Sequence, residues 1–430
     1  MNRFVSWWKS AEGSAARAGL LTALPMVAGL VLVAQMASEA GAYFPAVYVL
    51  AAALATVGTL AFSRLRLALA VGPDLLMAGW LFSLLVISHG LTIGQLYALL
   101  AVVSLFACLA AFSGLASRIV SAVPVCIRAV LPMALGAMLV LWGMEQGRML
   151  LSSPVHLVML GDFADPLAYF SLLGLVMMLG LRALGVRQAV GLGLVLTALL
   201  SFIEGFWIVP PAPFYAPEGL DRAAGLFLLA GDGDAQALGV MATVAPWLFL
   251  ALLLTFYGGW QALGTGPNVP PKKPLCVVCI LNLLAALLGM TPMTAAPESV
   301  LAGEAGQAHP RAYAIGAAAG LIFLLSAAPL ARELASFPAM LVPCVIFAGF
   351  LLLARARFYW AGADLAERTA SVVLCVLVPL TYDMALGLAV AVATYVLLKV
   401  LAGRTADVTR TMRMFAALAV LLIFAESWLF

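Results

Sequence analysis

The sequence predicts an all-α polytopic membrane protein with about fourteen transmembrane segments, and three observations carry that expectation. The first is composition: of 430 residues, 65% are apolar and 10% charged, with a mean hydropathy of +1.12. A soluble fold of this size keeps roughly a quarter of its residues charged, so 22 Lys+Arg, 19 Asp+Glu and 3 His cannot cover a water-facing surface. The second is a dense series of apolar runs near the ~20 residues that cross a hydrocarbon core. The third is how the basic residues sort among the loops between those runs.

The runs fall at 18–38, 44–63, 70–88, 94–113, 122–143, 167–182, 187–204, 240–262, 274–290, 294–305, 312–328, 337–354, 369–382 and 384–402. Arg3, Lys9 and Arg17 precede the first run in the manner of a signal peptide, but no small-residue cleavage site leads into a soluble domain, so the first run reads as a retained span. A last apolar stretch, 412–430, follows a charged linker and could either span or lie in the interface. With the N-terminus in the cytoplasm, residues such as Arg64, Arg66, Arg118, Arg182, Lys272 and Arg404 fall in inner loops. Only Arg148, Arg222 and Arg332 fall outside, among acids such as Glu145, Asp162, Asp165 and Asp232. That asymmetry orients a chain in a cytoplasmic (inner) membrane. The net charge of +3 is too dispersed for nucleic acid.

The longest polar break, about 206–236, is rich in Pro, Gly and acid and leaves seven runs on each side. An odd number per half requires the second half to insert in the opposite sense, giving a 7+7 inverted repeat. The third and tenth runs are interrupted. One reads Ala70-Val71-Gly72-Pro73-Asp74; the other reads Ala295-Ala296-Pro297-Glu298-Ser299. Each Pro forbids a helix through it, suits a first helical turn, and is followed by an acid where a helix dipole favours one. The two Pro-acid pairs stand 224 residues apart, 73 to 297 and 74 to 298. Short interrupted segments at corresponding places in two halves point to a binding site near the bilayer midplane. There Gly72 and Ala296, extended before each Pro, would offer backbone groups to a solute, and the two half-helix N-termini would offer free N–H groups.

A carboxylate at mid-bilayer costs at least ~3 kcal/mol, so such residues are rarely idle. Asp74 and Glu298 are therefore the candidate substrate contacts and proton-coupling groups, although each could also serve only as the cap of its own helix. Thr291, Thr294 and Ser299 around Glu298 fit a lined cavity. Gln261 could bond another helix or a ligand. Arg128 is expected to snorkel toward the cytoplasm, and Asp383 to lie between two spans at the outer surface. The six cysteines sit in apolar runs, and the Cys276/Cys279 pair has no further His or Cys pair beside it, so neither a disulfide framework nor a metal or other cofactor is expected. No hydrolase, redox or nucleotide-binding motif occurs, and without a Walker motif gradient-driven transport by a non-enzyme is the reading.

At the interrupted segments the chain resembles the nucleobase permeases, and within them the hypoxanthine/guanine/adenine branch. The resemblance runs over nearly the whole length, through Leu69 to Gly72, Val158 to Asp162, Leu263-Gly264-Thr265, Gly289 to Ser299 and Pro379 to Tyr382. It implies a core domain (spans 1–4 and 8–11) and a gate domain (spans 5–7 and 12–14), and proton-coupled uptake of a purine-like base. On that basis the core takes 1–115 and 239–330, the gate 116–206 and 331–405, an extracytoplasmic loop 207–238 and a C-terminal hydrophobic segment 406–430. Glu298-Ser299 stands where the family has a Glu-Ser that contacts the base. Where the family carries an amide in the third span this chain has Asp74 and its neighbours, and the family's eighth-span Asp appears as Gln261. The solute and protons are the expected partners in the bilayer. Small-residue runs such as Gly191 to Gly193 could pack helices within one chain or pair two copies as a homodimer. Two other classes stay open: an anion exchanger or channel of related fold, and a non-transporting membrane scaffold.

Overall fold

A computed structural model describes residues 10–153, 158–186, 188–214, 235–261, 271–355 and 362–410, with isolated positions from 412 to 420. The expectations placed on Leu263 to Thr265, on most of the 207–238 loop and on the segment at 412–430 concern residues largely outside this set.

In chain order the helices are α1 (Ala11–Glu39), α2 (Phe44–Arg64), α3 (Leu75–Trp80), α4 (Ile93–Ser113), α5 (Leu115–Ala122), α6 (Val125–Gln146), α7 (Pro166–Ala183) and α8 (Ala189–Ile203). The second half supplies α9 (Ala235–Trp260), α10 (Lys272–Leu287), α11 (Gly303–Ala308), α12 (Pro310–Leu325), α13 (Ala328–Ser336), α14 (Val342–Leu353), α15 (Leu365–Thr381) and α16 (Met384–Leu401). Four three-residue strands form two antiparallel pairs: β1 (Val71–Pro73) with β4 (Met293–Ala295), and β2 (Leu150–Ser152) with β3 (Val158–Leu160). Among the described residues six helices, α1, α2, α4, α6, α7 and α9, are long and apolar enough to cross a membrane by themselves. The pair α12–α13, bent by 78°, adds a seventh if it counts as one span. Every one of the fourteen expected runs holds helix, but the third and tenth are cut by extended backbone.

Local differences have local causes. Asp74 caps α3 by accepting from the Met77 amide, and beyond Trp80 the helix widens into a π-helix over Leu81–Ser88. The tenth run is a 3-10 helix, Pro297–Ala302, followed by α11 of six residues, instead of one half-helix. Helices α5 and α13, in stretches read as connections, each bury one face: Ala116 and Val120 on α5, Ala331, Leu334 and Ala335 on α13. Helix α1 lies against α12 at backbone distance. A Cβ at Gly19 would run into the Tyr313 carbonyl and one at Gly316 into that of Ala16, so only glycine permits this approach. The Tyr48 hydroxyl donates to the Leu324 carbonyl at 3.0 Å and ties α2 to the same unit.

Two groups of helices result. In one, α1, α2, α4, α10 and α12 pack around the β1–β4 pair, with α9 alongside; in the other, α6, α14, α15 and α16 pack together and α7 and α8 pair beside them. Charged residues gather at opposite ends of the second group. At one end Arg148 bonds Asp165 at 2.9 Å and the Tyr382 hydroxyl donates to Glu145 at 3.1 Å. The Arg148 hydrogen bond, with the Leu167 amide, holds the Asp165 carboxyl below the usual carboxylate range. At the other end the buried Lys399 ammonium meets Asp364 at 2.6 Å, Glu367 at 3.3 Å and Asp407 at 3.4 Å, and Arg404 joins Asp364 and Asp407. Burial pushes the Asp364 carboxyl up, but the bonds from Lys399 and the Glu367 amide and the nearby Arg404 charge outweigh it and leave it low. Asp383 is the N-cap of α16, accepting from the Leu386 amide. Arg128 is 8% exposed, and its Nε reaches back beyond the start of α6 to donate to the Val123 carbonyl at 2.9 Å.

Candidate solute-binding site

The two interrupted segments meet. Strands β1 and β4 pair with Val71 opposite Ala295, Gly72 opposite Thr294 and Pro73 opposite Met293. Val71 and Ala295 are themselves 224 residues apart, so equivalent residues of the two halves face each other, as a two-fold relation between the halves requires. Asp74 and Glu298 each lie three residues beyond that pair, in opposite directions.

Extended backbone inside a bilayer needs every polar group satisfied by protein or by a wet cavity, and this sequence supplies the partners. The Val71 amide donates to Thr59 Oγ1 at 3.1 Å and the Met293 amide to Asn282 Oδ1 at 2.7 Å, each side chain coming from the helix before its strand. At the ladder ends the Asp74 amide donates to the Pro292 carbonyl and the Ala296 amide to that of Ala70. Ser299 Oγ accepts from the Ala70 amide at 2.9 Å and donates to the Ala70 carbonyl at 3.2 Å. At 1% exposure and outside the cavity lining, Ser299 bonds across the two halves.

Beside the ladder lies a cavity of about 80 Å3, room for several waters or a small planar solute. Asp74, Glu298, Gly72 and Ala296 all line it. So do Met26 and Gly29 of α1, Thr255 and Gly259 of α9 and Thr294 of β4, faced across the cavity by Leu135 and Leu139 of α6 and Val345, Ala348 and Leu352 of α14. Its wall therefore comes from both helix groups. Gly259 admits α9 to the ladder, since a Cβ there would stand 2.6 Å from the Ala295 Cβ and from its carbonyl oxygen.

Among the described residues the polar lining consists of Asp74, Glu298, Thr255 and Thr294, and no Lys, Arg or His faces the cavity. Asp74 is 4% exposed; Oδ1 accepts from the Met77 amide at 3.0 Å, and the Thr255 hydroxyl stands within bonding reach of its carboxyl group. The Thr294 hydroxyl is buried and unpartnered. The helix termini offer less than the sequence suggests, because the Met77 amide is taken by Asp74 and the Ser299 amide by the Ala296 carbonyl. Gln261 is not part of the lining: its amide nitrogen donates to the Tyr257 hydroxyl one turn back on α9, at 2.7 Å. Thr255 went unnoticed in the sequence, although its place one turn before Gly259 on an apolar helix is the signal that could have found it.

A strand pair from two interrupted segments, held within a helical membrane body and flanked by a cavity with two acids, defines a membrane-embedded solute transporter. The fold agrees. It matches the transmembrane domain of the cyanobacterial bicarbonate transporter BicA with a TM-score of 0.59 at 18% identity, covering 87% of this chain and 98% of that one. It also matches the murine anion transporter Slc26a9 in its inward-facing state with a TM-score of 0.57 at 13% identity, covering 92% and 70%.

In sequence the chain is a divergent relative of nucleobase permeases. It is 24% identical to the guanine/hypoxanthine permease PbuO of Bacillus subtilis over 95% of this chain and 96% of that protein. It is 27% identical to the guanine/hypoxanthine permease GhxP of Escherichia coli O157:H7 over 93% and 91%, and 24% identical to the adenine permease AdeP of Escherichia coli over 70% and 67%. No family model matches the chain.

Proposed function

We propose that this chain is a secondary transporter that carries a purine nucleobase across the cytoplasmic membrane together with protons. The observation that carries the reading is the meeting of two interrupted segments at one cavity, to which each contributes a carboxylate and, among the described residues, no cation answers. The similarity to guanine/hypoxanthine and adenine permeases over most of the length supports the solute class.

Glu298 accepts a ring N–H or amino donor from the base, and the apolar walls hold its faces. An uncompensated charge in the bilayer interior is expensive, and a second in the same cavity more so. A proton on Glu298 or Asp74 lowers that cost and travels with the solute. The group built on α1–α4 and α9–α12 acts as the core and the group of α6–α8 and α14–α16 as the gate, with α5 and α13 as links in a fourteen-segment inverted repeat. Movement of core against gate opens the cavity to either side in turn. The N-terminus lies in the cytoplasm, which puts the Lys399 network inside and the Arg148–Asp165 pair outside. Anion exchange is disfavoured, since both acids would repel an inorganic anion.

The test is uptake of radiolabelled guanine, hypoxanthine and adenine into proteoliposomes under an imposed inward proton gradient, with sulfate and bicarbonate as controls. Uptake of a purine that collapses with an uncoupler and in Glu298→Gln protein supports the reading. Gradient-independent movement of bicarbonate or sulfate, without purine uptake, sinks it.

A further inference from the structure

The recognition chemistry at Glu298 leaves the other end of the cavity unexplained. There the second carboxyl oxygen of Asp74 is buried with only the Thr255 hydroxyl within bonding reach among the described side chains, on a residue 4% exposed whose other oxygen already caps α3. If capping were its whole role, Asn or Ser would serve as well without a charge in the bilayer. Beside it in the cavity stand Thr255 and Thr294, whose hydroxyl has no partner. A carboxylate oxygen accepts more than one hydrogen bond and a buried hydroxyl left unpaired is costly, so this end of the cavity has hydrogen-bonding capacity left for a group that enters it.

We propose that Asp74, with Thr294 and Thr255, forms a second recognition subsite that takes a hydrogen-bond donor from the edge of the solute opposite to the edge held at Glu298. This rests on the purine reading above and sharpens it. The ladder register puts the two acids three residues from the Val71–Ala295 pair in opposite directions, so a planar solute between them presents a different edge to each. An ionised carboxylate is acceptor-only, and one that carries the proton still accepts through its carbonyl oxygen. Each end therefore selects a donor, and the site favours bases with N–H or NH2 groups on two opposed edges, such as guanine, over analogues in which one of those edges is blocked.

The experiment compares guanine with 1-methylguanine and 9-methylguanine, each of which blocks a donor on a different edge, as competitors of guanine uptake in proteoliposomes. In the wild-type protein each analogue should be weaker than guanine by about ten- to hundredfold, the value of one hydrogen bond to a charged acceptor. Asp74→Ser keeps the helix cap but withdraws the acceptor; it should erase the penalty of one analogue and leave that of the other intact. Glu298→Gln, which is not expected to support uptake, should do the reverse when the analogues compete with radiolabelled guanine for binding to the purified protein. Thr294→Val, which orphans no protein group, should weaken discrimination against the same analogue as Asp74→Ser and covers the case in which that protein does not fold. Purine uptake with equal competition by both analogues in the wild-type protein overturns the subsite alone. So does an Asp74→Ser protein in which guanine and both analogues weaken in parallel. A wild-type protein that moves no purine overturns the reading on which it rests.

Discussion

Replacing Ser299 by Ala separates two roles for a residue one position from Glu298. In the structure its hydroxyl accepts from the Ala70 amide and donates to the Ala70 carbonyl, both fully buried. The carbonyl keeps a second partner, the Ala296 amide at 2.9 Å, so of the two Ala70 groups truncation orphans the N–H alone. A buried donor left unpaired costs about 1–3 kcal/mol, and side-chain hydrogen bonds in membrane proteins tend to the lower part of such ranges. The loss should be about 1–2 kcal/mol, while the hydroxyl's absence from the cavity leaves solute affinity alone. Unfolding of the purified protein in mixed micelles with increasing dodecyl sulfate would give the first quantity, and the KM for uptake, corrected for folded protein, the second. A Ser299→Ala protein of wild-type stability with a raised KM would refute the bridge between the halves and return Ser299 to the solute.

Three further outcomes follow from the geometry. Gly259→Ala should abolish uptake and lower stability, because its Cβ meets Ala295 at 2.6 Å and β4 has to move; wild-type transport by that variant would contradict the close packing of α9 on the ladder. Lys399→Met removes a cation 2% exposed from three acids 26–40% exposed. The acids can rehydrate, so the cost should be about 1–3 kcal/mol in the same unfolding assay rather than the 3–5 of a sealed pair, and an unchanged midpoint would show that the network contributes nothing. Asp165→Asn keeps the cap of α7 but loses the ion pair with Arg148, a surface pair worth about 0.2–1 kcal/mol. Since the Asp165 carboxyl is held below its ordinary value of 3.8 in the folded protein, its contribution is fully present above that pH and is lost as pH falls through the lower folded value. Wild type and variant should therefore differ in stability at pH 6 and converge as pH falls below 3.8, and a gap that widens on acidification would reverse the sign.

Much of the site was legible because its chemistry is local and repeated. Pro73-Asp74 and Pro297-Glu298 each write a break and an acid into the sequence, and their common spacing is what the Val71–Ala295 pairing expresses in space. Thr294 stood out for the same reason, as a polar residue in an interrupted apolar run. What escaped depends on partners far along the chain. Ser299 bonds a residue 229 positions away, and nothing in its neighbourhood distinguishes a bridge from a solute contact. Gln261 is polar in an apolar helix, yet its partner is Tyr257 one turn back. The short helices α5 and α13 were hidden because apolar spans on both sides blur an amphipathic turn or two. The π-helix after Trp80 has no compositional mark, being an ordinary apolar stretch.

The account stands on the ladder between the two halves, and a cross-link tests it most directly. Facing residues of an antiparallel pair lie about 4.5–5.5 Å apart at Cα, within reach of a disulfide. In a background freed of the six native cysteines, Val71→Cys combined with Ala295→Cys should form an intramolecular disulfide on mild oxidation, and the oxidised protein should still take up solute, since both strands move as one body. No cross-link would mean that the interrupted segments do not meet, and a cross-link that stops uptake would mean that the ladder itself opens during transport.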